Sequence, residues 1–534
     1  VRLIRISTLS QLASPFTTIF IHLKKLIAPT KNPDNLSSFE NNKIGDSMAG
    51  TKAIAQKQGV LATPAGWQGA KPIPFLGVLT MGLAMWFMPV PEGLTPQAWH
   101  MFAIFVTTVV SLIVQPLPVG ALAVLVIVTC SATGTLTIEK ALSSYSNKII
   151  WLIFAAICVA RGFINTGLGS RIAYMFISGL GKSTLGLSYG LIGTELLLAP
   201  FVPSNTARGA GIVFPIVSSL AKEYDSSPEK GTEKRIGSYL ITLIYQTNVI
   251  TSAMFLTAMA ANPLIASLAG QLGAPISWMT WASACIVPGL LSLALLPLIL
   301  YAIYPPELKL TPEAPKVAKN KLAEMGPMSL QEKVMLGTFG LLLSLWVFGE
   351  HFGIDPTTAA LVGLGILLLF GILSWTDIQK EHTAWNTMFL FGVLLMLSQS
   401  LTDVGMIKWF SGHMQEAVRP FGWIAALSIL AMVYFYSHYF FASMTAHIAA
   451  MYSAFAVVSI AAGAPPMLTC LMLAPLGTIS AGITHYGTGT APVFHGTGYV
   501  KTADWWRTGF ILSIINITIW ATVGVAWWKI IGLW

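Results

Sequence analysis

From residue 72 to the C-terminus, apolar runs of about 20 residues follow one another, separated by short polar breaks. Each run is long enough, as a helix, to cross a hydrocarbon core about 30 Å thick. In a bilayer every backbone polar group has to be satisfied internally, so runs of this length specify helices. Composition agrees: of 534 residues only 10% are charged and 54% are hydrophobic, against about 25% charged in a soluble domain. The expected fold class is an all-α polytopic membrane protein with about 11 transmembrane helices. Two further apolar stretches, 183–220 and 422–462, are too long for one span and carry polar centres. They read as re-entrant hairpins with tips at Pro203 to Thr206 and Ala442 to Thr445.

The net charge of +9 suggests a nucleic-acid partner only until the basic residues are placed. A cytoplasmic N-terminus puts the loops 169–182, 221–236, 305–333, 376–384 and 500–507 inside, and these carry 14 Lys and Arg against five on the opposite side. That asymmetry follows the positive-inside rule and counts against the inverted orientation, and charge placed for topology leaves no nucleic-acid partner expected. The expected location is a bacterial inner (plasma) membrane, with a chloroplast inner envelope as the alternative. The organisation reads as a cytoplasmic segment 1–71, a first helix and loop 72–96, a first repeat 97–304, a cytoplasmic linker 305–333 and a second repeat 334–534. Residues 1–47 are basic, rich in Ser and Asn, and followed by Met48. They read as an over-long start, with a transit peptide or a disordered tail as alternatives. Cys130, Cys158, Cys285 and Cys470 show no ligand spacing and read as small packed side chains.

The repeats rest on an internal match. Phe201-Val202-Pro203-Ser204-Asn205-Thr206-Ala207-Arg208 aligns with Phe440-Phe441-Ala442-Ser443-Met444-Thr445-Ala446-His447; Tyr245 to Pro263 aligns with Thr484 to Thr502 at the same shift, and Trp151 to Ile164 with Phe389 to Thr402 one residue short of it. Five spans per copy would make the second copy enter from the opposite face, the inverted-repeat plan of secondary transporters, whose substrate lies near the midplane. Each copy also carries a span interrupted by polar residues. Gln246, Thr247, Asn248, Thr251 and Ser252 interrupt one, and Thr484, His485, Tyr486, Gly487, Thr488, Gly489 and Thr490 the other. An unwound helix there would offer N–H and C=O groups to an anion or cation. Close helix packing by small polar residues is the competing reading.

Charges within apolar segments are costly and mark function by default. Arg161 lies near a span end and can snorkel. Arg208 follows the first tip and has His447 as its mate at the second, so both are expected to flank a central anion site, with Arg208 forking a carboxylate. A structural pair between Arg208 and Glu195 is the alternative. His438 and His485 add polarity nearby. No His-Glu-x-x-His spacing and no phosphate-cradling glycine loop occurs, so neither a metal, a cofactor nor ATP-driven transport is expected.

These residues carry a resemblance. Pro203 to Arg208, Ser437-His438-Tyr439-Phe440-Phe441-Ala442-Ser443, Thr484-His485-Tyr486, Gly496-Thr497-Gly498-Tyr499-Val500 and Pro305 to Met328 resemble the divalent anion:sodium symporter family. The likeness is greatest to its branch of 2-oxoglutarate/malate translocators and citrate/succinate and tartrate exchangers. It implies a homodimer of elevator-type carriers. It also implies that the Ser-Asn-Thr at each tip binds substrate carboxylates and, in coupled members, sodium. Ser204, Asn205 and Thr206 fit that pattern. At the second tip Ser443 and Thr445 fit, but Met444 replaces Asn, which leaves Ser204, Asn205 and Ser443 as vestigial sodium positions. With Asn248, Thr251, His485, Thr488 and Thr490 from the interrupted spans, and with Arg208 and His447, these residues form the expected substrate site.

A fixed Arg cannot leave with substrate as sodium does, and moving an uncompensated charge across the bilayer is costly. The expected function is therefore exchange of C4/C5 dicarboxylates such as 2-oxoglutarate, malate and succinate, with citrate and tartrate also open. A sodium- or proton-coupled symporter and an anion channel are the alternatives. No nucleophile, base and orienter are recognisable, so an enzyme is not expected.

Overall fold

A computed structural model describes residues 69–418 and 422–534; the reading of residues 1–47 falls outside them. The described residues form helices and connecting turns. Helices α1 (Pro72–Trp86), α2 (Pro96–Val114) and α3 (Val119–Ala132) come first. Thr95 starts α2, its Oγ1 accepting the Ala98 N–H at 3.2 Å, and Pro96 follows where a missing N–H costs nothing. Leu76, Leu79 and Leu83 on α1 and Val124 and Val128 on α3 are exposed, the outward apolar surface expected of lipid-facing helices. Nine helices among the described residues are long and apolar enough to cross a membrane, and they include both arms of the second hairpin.

The central element is α8 (Gly237–Met254), every residue of which is buried. It packs against α6 (Thr184–Leu198), α10 (Trp278–Ile303) and α18 (Pro466–Ile479). Around α4 (Lys148–Thr166) lie α12 (Leu330–Phe348), α13 (Pro356–Leu369) and α14 (His382–Asp403). A second apolar cluster, with Met101, Ile104, Val126, Val393 and Leu397, joins α2 and α3 to α14.

The order of elements recurs. The helices α4, α5 (Leu168–Leu180), α6, a tip, α7 (Phe214–Glu223), α8, a break and α9 (Ala261–Gln271) are followed later by a parallel series. That series is α14, α15 (Met406–Val418), α16 (Gly422–Tyr436), a tip, α17 (Met444–Ala461), α18, a break and α19 (Ala491–His495). Helix α20 (Thr502–Ile519), a π-turn and α21 (Val525–Ile530) complete the chain.

Two expectations are corrected. The stretch 169–182, read as a loop, is mostly α5, and the linker 305–333 contains α11 (Ala314–Met325), packed on α5. Arg171 on α5 is buried: its Nε donates to Glu332 Oε1 at 2.5 Å, its Nη2 to Glu332 Oε2 at 3.1 Å, and its Nη1 to the Gly326 carbonyl at 2.9 Å. Glu332 also closes a capping box with Ser329 at the start of α12. The second correction concerns the first interrupted span. Gln246 to Ser252 sit on unbroken helix, and the break comes later, at residues 255–260. The second break, 484–490, falls where the sequence places it.

Candidate functional site: a cavity between two hairpin tips

Each break frees carbonyl groups inside the protein, and side chains take them up, as buried backbone requires. At the first break Asn262 Nδ2 donates to the carbonyls of Ser252 at 2.7 Å and Phe255 at 2.8 Å, and Trp281 Nε1 donates to that of Ala253 at 2.9 Å. At the second, α8 supplies the donors. The Tyr245 hydroxyl reaches the Ala481 and Thr484 carbonyls at 2.6 and 3.2 Å, and Gln246 Nε2 reaches that of Gly482 at 2.8 Å. The polar residues of α8 therefore support the second break from a continuous helix, while α9 and α10 support the first.

The first tip is locked between both breaks. Asn248 Nδ2 donates to the Asn205 carbonyl at 3.1 Å, and Thr257 Oγ1 donates to the Pro200 carbonyl at 2.5 Å. Gly489, in the second break, lies so close that a Cβ there would stand 2.7 Å from Thr206 Oγ1. Thr490 Oγ1 is 3.5 Å from the same oxygen. At each tip a serine caps the following helix, Ser204 Oγ accepting from the Ala207 N–H at 3.1 Å and Ser443 Oγ from the Ala446 N–H at 3.3 Å. Two helix N-termini, with their positive dipole ends, thus meet at one place.

There the two tips enclose a cavity of about 320 Å³, within the range of small-ligand pockets. Ser204, Asn205 and Thr206 line it from one tip and Ser443, Met444 and Thr445 from the other, with Thr488 and Gly489 between. Thr383 and Thr387, one turn apart at the start of α14, and Ile157 of α4 close a further side. Met259 and Ala260 of the first break complete the wall. No lining residue is charged. The sequence reading missed Thr383, Thr387, Met259 and Ala260. The four-residue spacing of the two threonines on one helical face was the available signal; the last two lie in a break that apolar residues conceal.

Six of the expected site residues line this cavity: Ser204, Asn205, Thr206, Ser443, Thr445 and Thr488. The other six do not. Arg208 is wholly buried, with Nε donating to Glu195 Oε2 at 2.6 Å. Its Nη1 donates to the carbonyls of Val202 at 2.8 Å and Ala258 at 3.0 Å, and its Nη2 to Ser252 Oγ at 2.8 Å, with Thr251 Oγ1 at 3.4 Å and the Asn248 carbonyl at 3.5 Å. A guanidinium has five N–H donors, and these partners account for them. The pairing with Glu195 that the sequence left as the alternative is the one formed, because the tip loop lets Arg208 turn back along α6. Asn248 and Thr251 belong to the same network, Asn248 Nδ2 lying 3.3 Å from each Glu195 oxygen and Thr251 Oγ1 3.4 Å from Oε2.

His447 is also fully buried, its Nε2 at 2.9 Å from both the Tyr434 carbonyl and Ser437 Oγ and its ring stacked on Tyr434. His485 accepts from Trp506 Nε1 at its Nδ1 (3.0 Å) and sits beside His495, away from the tips. Thr490 stands behind Thr206. Arg161 is exposed, as a snorkelling residue would be.

The family model described as the sodium:sulfate symporter transmembrane region matches residues 70–534. Among curated relatives, the putative malate transporter YflS of Bacillus subtilis is 53% identical over 472 residues, covering 88% of this chain and 99% of that protein. The chloroplastic dicarboxylate transporter 1 of Arabidopsis thaliana is 48% identical over 478 residues, 89% of this chain and 86% of its own. The inner membrane protein YbhI of Escherichia coli is 39% identical over 474 residues, 86% and 97% of the two chains. With a family match over nearly all of the described residues and relatives this similar along their length, the chain belongs to the sodium:sulfate symporter family of membrane transporters, also called divalent anion:sodium symporters.

Proposed function

We propose that this protein exchanges C4/C5 dicarboxylates, with 2-oxoglutarate, malate and succinate as the core set, between the two sides of a membrane. The substrate class is supported by relatives whose names specify malate and dicarboxylates. It is also supported by a cavity whose two hydroxyl-bearing ends each sit at a helix N-terminus, a ready place for a carboxylate.

Arg208 carries the exchange reading, in a form different from the one the sequence suggested. Its charge is balanced by Glu195, so an empty carrier holds no naked cation. The guanidinium instead joins the tip carbonyl of Val202 to the break carbonyl of Ala258. Carbonyl oxygens converging from two irregular segments are what a sodium ion would ligate, and here a cation that cannot dissociate already satisfies them. Sodium has little left to bind beside the first tip, and Met444 removes an oxygen ligand at the second. A counter-substrate is then the driving force.

Two copies acting as a homodimer, repeats of inverted orientation, elevator movement of the tips and breaks against α4 and α14, and a cytoplasmic N-terminus complete the proposal. The test is uptake of labelled malate into proteoliposomes loaded with malate or left empty, with and without a sodium gradient. Exchange predicts rapid uptake only into loaded vesicles, indifferent to sodium. Sodium-driven uptake into empty vesicles would overturn it.

A further inference from the structure

The two tips differ at one position: Ser204-Asn205-Thr206 faces Ser443-Met444-Thr445 across the cavity. At the first tip Asn205 Oδ1 accepts the Thr206 N–H at 2.9 Å, and its Nδ2 has no partner in the protein. At the second the same place is held by a thioether. Met444 is only 4% exposed, yet it reaches the cavity wall. Ile157, Met259, Ala260 and Ala442 add further apolar residues to the lining. The cavity is thus rich in hydroxyls and without a charged side chain, and its second tip sets a thioether between two hydroxyl residues where the first tip has a carboxamide.

An organic dicarboxylate matches this division. Its carboxylates meet donors at the ends while its methylenes rest on the apolar part. A tetrahedral inorganic oxyanion presents oxygen in every direction, so at least one oxygen would be desolvated against the thioether without a donor, a loss that nothing offsets. The geometry points to Met444 as the residue that selects carbon dicarboxylates over inorganic divalent oxyanions such as sulfate. This deepens the dicarboxylate reading above and rests on it.

The full chain in malate-loaded vesicles tests it, with unlabelled succinate and sulfate competing against labelled malate. Wild type, Met444→Leu, Met444→Gln and Met444→Asn are compared. Gln matches Met in length, Asn restores the sequence of the first tip, and Leu keeps the apolar surface. The ratio of half-inhibiting sulfate to half-inhibiting succinate should fall by about tenfold or more in the Gln and Asn variants and stay near wild type in Leu. An unchanged ratio in both polar variants, or an equal fall in the Leu variant, overturns the assignment. A wild type that exchanges no malate rejects the dicarboxylate exchange reading instead. Discrimination is then read from the melting-temperature shifts that succinate and sulfate give each purified variant, and the same comparison between variants decides for or against Met444.

Discussion

Replacing Glu195 by Gln tests whether Arg208 serves the fold or the substrate. Both partners of the pair have fully buried side chains, with 0% of either exposed, and the charged contact is 2.6 Å long. The substitution keeps the shape of Glu195 but leaves the guanidinium positive and uncompensated. Breaking a buried pair from one side costs about 3–5 kcal/mol, because the remaining charge stays desolvated. Asn248 and Thr251, which also face the Glu195 oxygens, lose charge-assisted partners in the same step. For a chain of this size the apparent melting temperature in detergent should fall by on the order of 5 °C.

The double variant Glu195→Gln/Arg208→Met removes the orphaned charge and should recover much of the loss, since exchanging both members of a buried pair for uncharged residues of similar volume is often close to neutral. The two single changes are therefore expected to be strongly non-additive. Thermal unfolding of the four proteins, each with and without malate, separates the alternatives. If Arg208 grips substrate, apo stability is unchanged and only the malate-induced shift disappears. That outcome, or additive single effects, would refute the structural role of the pair.

Further outcomes follow from other parts of the molecule. Thr383→Val or Thr387→Val removes a cavity hydroxyl while keeping side-chain shape, so the KM for malate counterflow should rise severalfold with the melting temperature unchanged; an unaltered KM in both would exclude α14 from the site. Gly209→Ala brings a Cβ to 2.9 Å from Asn248 Nδ2 and 3.0 Å from Thr490 Cγ2, and should destabilise by about 1–3 kcal/mol, read as a lower melting temperature. Arg171→Met should lower thermal stability by about 3–5 kcal/mol by stranding Glu332 between α5 and α12, and Glu332→Gln in the same chain should restore part of it. Asp355 begins α13 and pairs with Lys148 at 2.6 Å. Partial burial raises its pKa, but the hydrogen bonds from Lys148 and Thr357 outweigh that and leave it below the usual carboxylate value. A lowered folded-state pKa contributes stability above the ordinary carboxylate pKa that is lost as pH falls through the lowered one. Asp355→Asn should therefore cost well under 1 kcal/mol at neutral pH, given the exposure of Lys148, and nothing in acid.

The interrupted spans show where sequence and structure part. The second break was legible because Gly487, Gly489 and three threonines crowd into an apolar run, and residues so poor in helix propensity rarely sit together on a buried helix. The first break hides in Phe255 to Ala260, which contains no Gly or Pro. The polar run Gln246 to Ser252 looked like the break and is continuous helix. Polar residues in a span mark either backbone that has come apart or buried side-chain partners, and local sequence does not distinguish the two. Here Gln246 serves the carbonyl of the other break, and Asn248 and Thr251 serve Glu195 and Arg208.

The sequence alone determined that the chain is helical and lives in a bilayer, because the length and apolarity of its runs permit no other way to satisfy the backbone. It also determined the two polar tips, since short hydroxyl-bearing motifs at equal places in long apolar stretches are visible without coordinates. Only the tertiary structure decided which polar residues face the cavity. The direction in which Arg208 and His447 turn depends on partners outside their own helices, Ala258 and Ser252 beyond the hairpin for one, Tyr434 and Ser437 on the facing arm of the hairpin for the other. A buried guanidinium goes wherever its five donors can all be met, and that place is set by packing rather than by its position beside a motif.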